Sequence, residues 1–140
     1  MKLKDKIAIV TGGASGFGAG IVGKFINEGA RVIIADLNIE LANELANELG
    51  ERAFALSVDV SDSLSVAAMV DQSLKAFGTI DIVVNNAGIG HIPQPLDQLS
   101  ESEFDHIFNV NAKSVYHMAY HIVPIMKRAN KGVILNVAST

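Results

Sequence analysis

A glycine-rich segment between an apolar run and a helical pattern constrains this chain most. Residues 7–10 are Ile-Ala-Ile-Val, residues 11–18 read TGGASGFG, and a helix-like segment follows. Glycine tolerates positive φ and lets the backbone approach a ligand closely, while the N–H groups that open a helix attract anions. The order of strand, glycine loop and helix therefore predicts a binding loop for the diphosphate of a nucleotide.

The glycine spacing separates classes of nucleotide-binding loop. An NTPase loop needs Lys and Ser or Thr after its second glycine, but Gly18 is followed by Ala19 and another glycine. A strict G-x-G-x-x-G would begin at Gly16 and has Ile21 in its sixth position. The segment reads T-G-x-x-x-G-x-G, and a glycine-rich turn without a ligand remains the alternative.

An acidic residue ends the second β-rich run. Residues 31–35 read RVIIA and precede Asp36, at about the position where a dinucleotide site places an acid for the adenosine ribose. A carboxylate there accepts both ribose hydroxyls and repels a 2′-phosphate. Because no Arg or Lys lies at 12–18, Leu37 or Asn38, NAD is favoured over NADP. The alternative is that Asp36 only caps the next helix, although Asn38 is better placed as the cap.

Polar residues also follow the third and fourth apolar runs. Asp59 is placed to accept from an adenine amino group while Val60 packs against the ring, and the alternative is a helix cap for which Ser61 competes. Residues 85–88, NNAG, end the most apolar run, 80–84. We expect their amide side chains to lock neighbouring strand ends and their small residues to leave room for the sugars of the cofactor.

Two further polar residues stand out. Asn is an indifferent helix former, so Asn111 within a helical segment indicates a local role in binding backbone or water. Ser139 follows the last apolar run, 133–137. This is the carboxyl end of a strand, where ligands bind in open α/β sheets.

Taken together, these motifs resemble the N-terminal part of the short-chain dehydrogenase/reductase family, and the resemblance covers the whole chain. The matching segments are TGGASGFG at 11–18, Asp36, Asp59-Val60, NNAG at 85–88, NVN at 109–111 and NVAS at 136–139. The resemblance implies a Rossmann-type, doubly wound parallel α/β sheet of order 3-2-1-4-5-6-7, with only the first five strands present. It also implies hydride transfer between NAD and an alcohol or carbonyl substrate.

The resemblance assigns residues to roles as well. Asn111 would support a water in the proton relay, and Ser139 would hydrogen-bond the substrate oxygen. The implied cofactor contacts are Gly12, Ser15, Gly16, Phe17, Gly18, Asp36, Leu37, Asp59, Val60, Asn86, Ala87 and Gly88.

The family's proton donor is not found in this sequence. The family places a tyrosine roughly a dozen residues after the serine and a lysine four residues further on. Neither Tyr116 nor Tyr120 has a lysine at that spacing. Two hypotheses follow: the 140 residues are part of an enzyme whose remainder supplies these groups, or they form a truncated, non-catalytic dinucleotide-binding module. A methyltransferase-like Rossmann domain fits the first loop loosely but leaves the later motifs unexplained.

The resemblance also predicts the behaviour of the isolated 1–140 chain. It would lack turnover, and residues 133–137 would form an uncovered sheet edge. We therefore expect the isolated chain to be unstable or to aggregate.

Composition indicates one ordered domain, residues 1–140, with 49% hydrophobic and 19% charged residues. A net charge of -4 argues against nucleic-acid binding, and the basic trio Lys127, Arg128 and Lys131 is expected to suit a helix carboxyl end. There is no cysteine for a disulfide or thiolate site, and the first apolar run is too short for a signal peptide or membrane span. We expect a cytoplasmic protein.

Hydrophobic periodicity predicts alternating strands and helices. Glycines at 29, 50 and 78 are expected to end three helices, and Ser100 with Glu103 forms a capping box. The predicted strands are 6–11, 31–36, 53–58, 80–85 and 132–138, and the predicted helices are 16–28, 39–49, 62–77 and 101–129, the last with an interruption.

The segment 111–128 is apolar nearly all round, which predicts a helix buried on two sides. In the family this helix pairs with its copy in another subunit, so the resemblance implies a homo-oligomer, either a dimer or a tetramer. His117 and His121 have the spacing of two metal ligands on one helix face. Because no third ligand is indicated, we predict no metal site and expect an interface or solvated pair instead.

Overall fold

A parallel five-stranded sheet with helices on both faces forms the framework of the protein. The computed structural model describes residues 1–139, and the strand order is β3-β2-β1-β4-β5. The strands are β1 (Ile7–Thr11), β2 (Arg31–Asp36), β3 (Ala53–Ser57), β4 (Ile82–Asn85) and β5 (Val133–Asn136). The helices are α1 (Gly16–Asn27), α2 (Ile39–Leu49), α3 (Ser63–Phe77), α4 (Glu101–Phe108) and α5 (Ser114–Ala129).

The sheet order confirms the predicted Rossmann-type topology. Every neighbouring pair of strands is parallel, with β1 between β2 and β4. The chain moves outward from β1 to β3, then crosses back to β4 and continues in the other direction to β5. Such a reversal opens a crevice beyond the carboxyl ends of β1 and β4, where open α/β sheets bind ligands.

Alternate residues of the central strand bury the two faces of the sheet. Ile7 and Ile9 belong to one hydrophobic cluster, which contains residues of α3 and α5. Ala8 and Val10 belong to a second cluster, which contains residues of α1 and α2. All four side chains are buried, as expected for a parallel strand covered on both faces.

The helix ends follow local sequence signals. Gly29 has φ of 92°, and the hydrogen bonds from its N–H to Ile26 O and from Ala30 N to Phe25 O end α1 in a Schellman motif. The Asn38 side chain caps α2 by accepting from Leu41 N, as predicted. These caps fix where each helix meets the loops at the sheet edges.

Two of the predicted caps differ in detail. The cap of α3 is Asp62, whose carboxylate accepts from Leu64 N, so neither Asp59 nor Ser61 has that role. Ser100 caps α4 by accepting from Glu103 N. The Glu103 carboxylate accepts from Gln94 Nε2 at 3.2 Å, and among the described residues it has no bond from Ser100 N that would complete the capping box.

The long fourth helical segment is interrupted, as the sequence predicts. A π-helical turn, Asn109–Lys113, joins α4 to α5 and places Asn111 at its centre. Such turns widen a helix locally and are frequent at functional sites.

The outer face of α5 is uncovered in the part of the chain that the structure describes. Met118, Ile122 and Met126 are buried against the sheet, whereas Tyr116 and Tyr120 are 60% and 63% exposed. The sequence predicts that this helix is buried on two sides, and the described part of the chain buries one of them. β5 is the edge strand of the sheet, and its residues Val133 and Leu135 are exposed as well. That the isolated chain is unstable stays a prediction.

Both histidines have partners within the chain, so they are not a solvated pair, and the interface alternative stays a prediction. His117 is buried with Nδ1 at 3.0 Å from Val60 O, and His121 Nε2 is 3.0 Å from Ser63 Oγ. His117 thus contacts the loop between β3 and α3, and His121 contacts the first residue of α3. Among residues 1–139, no three His, Asp or Glu side chains are grouped to hold a metal ion.

A buried carboxylate joins three strands at the amino edge of the sheet. Asp81 Oδ2 accepts from Ile7 N at 3.0 Å, Lys131 Nζ is 2.8 Å from Oδ1, and the Asp81 carbonyl accepts from Val133 N. Burial alone would raise the pKa of Asp81, but the Lys131 ammonium and the Ile7 N–H outweigh it and hold this pKa below its ordinary value. Lys131 therefore pairs with Asp81 and does not serve the helix end, unlike Lys127 and Arg128 in the last turn of α5.

We expect Asp81→Asn to lower the free energy of unfolding at pH 7 by about 1–3 kcal/mol, because Lys131 loses a buried partner. The folded pKa is depressed, so this stabilisation is present above the ordinary pKa and is lost as the pH falls through the folded pKa. Urea unfolding at about pH 7 and about pH 3 measures both effects. The control Asp71→Asn breaks the exposed pair with Lys75 and should cost at most about 0.5 kcal/mol. Equal losses in the two variants would contradict this account.

Candidate cofactor site

A cleft of about 430 Å³ lies at the carboxyl ends of the strands. Segments after β1, β2, β3 and β4 meet there, together with one face of α4 and the π-helical turn. The lining residues are Gly12, Ser15, Phe17, Ala35, Asp36, Leu37, Val58, Asp59, Val60, Asn86, Ala87, Gly88, Ile89, His106 and Val110. Ten of the twelve residues predicted to contact the cofactor are in this lining, and the other two are Gly16 and Gly18.

The glycine loop lies directly against the end of β4. Gly12 has φ of 60°, and a Cβ on it would be 2.9 Å from the Cα of Ala87. A Cβ on Gly18 would overlap the carbonyl oxygen of Gly12 and be 2.7 Å from Asn86 Nδ2. Gly16 also has positive φ, 55°. A side chain at Gly12 or Gly18 would clash with this path, and Gly16 has the left-handed conformation that glycine adopts most readily.

A network centred on Thr11 holds the loop to β4. Thr11 Oγ1 accepts from Asn86 N at 3.0 Å and from Ala87 N at 3.1 Å, and donates to Val84 O at 3.3 Å. Asn86 Nδ2 donates to Thr11 O and Gly12 O. Thr11 is absent from the predicted site residues although the motif begins with it. Its position as the last residue of a buried strand was the available signal.

The adjacent amide joins the next pair of strands. Asn85 Nδ2 donates to Asn136 Oδ1 at 2.8 Å, where the two residues are opposite each other in the β4–β5 ladder. The prediction that the two amides of the NNAG segment lock neighbouring strand ends is therefore confirmed. Asn85 bonds to β5, and Asn86 bonds to the end of β1.

The carboxylate of Asp36 is fixed at the end of β2. Oδ2 accepts from Ala14 N and Oδ1 accepts from Asn38 N, each at 3.0 Å. Asp36 therefore orients the glycine loop and does not cap α2, which Asn38 caps. A carboxylate oxygen has two lone pairs, so each oxygen keeps one acceptor position for a ligand. Leu37, which follows it, is largely exposed at the rim.

The loop after β3 is held mainly by hydroxyl groups. Asp59 Oδ1 accepts from Ser61 N at 2.9 Å and from Ser61 Oγ at 2.6 Å, while Asp59 N donates to Ser65 Oγ. Val58 and Val60 on either side are buried. The loop thus presents one carboxylate and apolar surface to the cleft.

Five lining residues are not among the predicted cofactor contacts: Ala35, Val58, Ile89, His106 and Val110. His106 and Val110 are four positions apart, so they share one helix face. Neighbouring positions of a helix point in different directions, so Asn111 gave no signal for Val110 or His106. Ile89 follows the NNAG segment in an irregular loop, where no periodicity applies.

Asn111 is engaged with the backbone of that irregular loop. Its Oδ1 accepts from Ile89 N and its Nδ2 donates to Ile89 O, each at 2.7 Å. The side chain thus satisfies both polar groups of one residue beside the cleft. Ser139 is exposed, three positions beyond Asn136 at the carboxyl end of β5. Neither residue is in the lining of the cleft, so their predicted roles in proton relay and substrate contact remain predictions.

A second hollow, of about 590 Å³, lies on the outer face of α1. Its one charged lining residue, Lys24, is already paired with Glu28 at 2.7 Å. A cofactor needs several convergent polar groups, which the cleft at the strand ends has and this hollow lacks. The cleft is therefore the candidate site.

We expect Gly18→Ala to lower the free energy of unfolding by about 1–3 kcal/mol, because its methyl group must displace the backbone of Gly12. Gly20→Ala is the matched control, since a Cβ there meets nothing within 4 Å. That change lies within the same helix and should raise stability by about 0.5–1 kcal/mol. Urea unfolding of both variants gives the comparison. Effects of the same sign and size would show that the loop can move to accommodate a side chain.

Comparison with known proteins agrees with this geometry. The 4-formylbenzenesulfonate dehydrogenase of Comamonas testosteroni is 46% identical over 143 residues, covering 100% of this chain and 57% of that protein. The galactitol 2-dehydrogenase of Agrobacterium fabrum is 39% identical, covering 99% and 54%. The chain thus spans about half the length of the curated relatives it matches.

Solved structures give the same result. The 3-ketoacyl-(acyl-carrier-protein) reductase from Brucella melitensis, complexed with NADH, superposes with a TM-score of 0.94 at 42% identity and covers 98% of this chain and 58% of that one. A metagenomic short-chain oxidoreductase in complex with NADP gives 0.95 at 34%, covering 100% and 65%. The family model described as short chain dehydrogenase matches residues 6–140. The chain therefore belongs to the short-chain dehydrogenase family of oxidoreductases.

Proposed function

We propose that the intact protein is an NAD-dependent oxidoreductase acting on an alcohol or carbonyl substrate. The observation that carries the choice of NAD is the fixed carboxylate of Asp36 in the cleft. Among the described residues that line this cleft, none is a lysine or arginine. A 2′-phosphate would meet a negative charge there without a cationic partner, whereas two ribose hydroxyls would meet an acceptor.

The form of the cleft supports a dinucleotide. The glycine loop brings the start of α1 to the cleft, so backbone N–H groups and the helix dipole are available to a diphosphate. Asp59 and Val60 offer a carboxylate and an apolar surface to the adenine, and Asn86, Ala87 and Gly88 leave space for the sugars. The cofactor, when bound, supplies the hydride donor or acceptor.

The residues proposed for the chemistry lie beyond the cofactor cleft. We propose that Ser139 hydrogen-bonds the substrate oxygen and that Asn111 fixes the backbone next to the proton path, through its two bonds to Ile89. The proton donor of the family is not among residues 1–140. A non-catalytic dinucleotide-binding module is the second candidate, and steady-state turnover of NAD with an alcohol by the intact protein separates the two.

We also propose a homo-oligomer, a dimer or tetramer formed through the helix at residues 111–128. Tyr116 and Tyr120 of α5 present neighbouring, exposed aromatic rings on the outer face of this helix. Such a patch is typical of an interface. Light scattering of the intact protein gives its mass in solution, and a monomer would contradict the proposal.

Among the described residues, no helix is long and apolar enough to cross a bilayer.

Calorimetric titration with NAD and NADP tests the choice of cofactor. We expect NAD to bind at least about tenfold more tightly, as charge-assisted hydrogen bonds to one carboxylate are worth about 1.5–3 kcal/mol. Asp36→Ala should remove most of this preference, and Asp36→Ala combined with Leu37→Arg should favour NADP.

The control Asp71→Ala removes an equal charge from the exposed surface of α3 and should leave the preference unchanged. Equal or tighter binding of NADP by the unmodified protein would overturn the assignment of NAD while leaving the family membership intact.

A further inference from the structure

Two histidines on α5 hold the loop that forms one wall of the cleft and the start of the helix that follows it. His117 is 5% exposed, and its Nδ1 is 3.0 Å from Val60 O. A carbonyl oxygen only accepts hydrogen bonds, so Nδ1 carries the proton and donates. One helical turn later, His121 Nε2 shares a hydrogen bond of 3.0 Å with Ser63 Oγ.

The same loop carries two residues proposed for the adenine. Asp59 and Val60 line the cleft, whereas His117 and His121 are not in its lining. Within the loop, Ser61 donates to the carboxylate of Asp59. Ser65 of α3 accepts from the backbone N–H of Asp59. The loop is thus held on one side by α3, the helix that follows it, and on the other by α5, which is more than fifty positions away in sequence.

A packing role alone does not account for His117. The neighbouring buried positions 118 and 122 of α5 are Met and Ile, and an apolar side chain at 117 would avoid the cost of burying an imidazole. The imidazole offsets that cost by a directed bond to a backbone carbonyl. A bond of this kind sets the position of the Val60 peptide, and therefore of the side chain that faces the cleft.

We propose that His117 is a positioning residue for the adenine end of the cofactor site, with His121 as a second tether at the first residue of α3, where this loop ends. The inference rests on the proposed function, because that function assigns the adenine to Asp59 and Val60. Neither histidine contacts the cofactor in this account. Their effect is on affinity for the adenosine half of the dinucleotide.

Two pairs of variants of the intact protein test the proposal. His117→Leu removes the donor at similar size, while His117→Asn keeps a nitrogen donor near the place of Nδ1. His121→Ala removes the second tether, and His121→Gln keeps a polar group near the place of Nε2. Calorimetry with ADP-ribose and with nicotinamide mononucleotide separates the adenosine half of the cofactor from the nicotinamide half.

We expect His117→Leu to weaken ADP-ribose binding by about tenfold, the effect of one buried hydrogen bond, and to leave binding of nicotinamide mononucleotide unchanged. His117→Asn should restore affinity to within about threefold. The KM for NAD should rise in His117→Leu while kcat stays the same. His121→Ala should show a smaller loss of about threefold, which His121→Gln should recover.

The possible failures have different meanings. Equal ADP-ribose affinity in His117→Leu and the unmodified protein would overturn the inference alone. If His117→Leu does not fold, equal affinity in His121→Ala and His121→Gln overturns it. Equal loss of affinity for both ligands would also overturn it, because it would indicate general loosening of the site. An unmodified protein that binds no ADP-ribose would overturn the proposed function and this inference together.

Discussion

The hydroxyl of Thr11 is the interaction on which the site depends most. It is buried between β1 and β4 and makes three hydrogen bonds, to the backbone of Val84, Asn86 and Ala87. These two strands are neighbours in space but more than seventy positions apart in sequence. Their carboxyl ends lead to the glycine loop and to the NNAG segment, so one hydroxyl fixes the two segments that form the floor of the cleft.

Around this floor, each loop is held by a side chain from another element. Asp36 at the end of β2 accepts from Ala14 N in the glycine loop. Asn111 in the π-helical turn binds both polar groups of Ile89, and His117 on α5 donates to Val60 O. Loops with few such contacts open easily, whereas loops tied to rigid elements keep a fixed geometry. The cleft is therefore pre-organised by groups that leave its apolar and acidic surface free for a ligand.

Local sequence signals were sufficient to predict the elements and the general position of the site. The alternation of apolar runs with helical patterns predicts all five strands, and the three central strands, β1, β2 and β4, are buried on both faces. The glycines at 29 and 78 end helices through positive φ, a property of the residue itself. Asp36 and the NNAG segment were found because they follow buried strands, where the parallel topology brings residues together.

Contacts between distant segments were beyond local reasoning. Lys131 was assigned to a helix end, but its partner Asp81 is fifty positions earlier and becomes its neighbour only when β4 and β5 pair. The roles of His117 and His121 were missed for the same reason, since helical spacing identifies a shared face but not the loop that this face meets. Thr11 opens the glycine motif, but its role was not predicted because its partners, the backbone groups of Val84, Asn86 and Ala87, are more than seventy positions away in sequence.

The most direct test of this account is the effect of Thr11→Val compared with Thr11→Ser. Valine keeps the shape of the side chain but leaves two backbone N–H groups without their acceptor, whereas serine keeps the hydroxyl. We expect Thr11→Val to lower the free energy of unfolding by about 1–3 kcal/mol and to weaken ADP-ribose binding by at least about tenfold, with Thr11→Ser close to the unmodified protein in both. Urea unfolding and calorimetry measure the two quantities. ADP-ribose affinity in Thr11→Val equal to that of Thr11→Ser would contradict the claim that this hydroxyl sets the site.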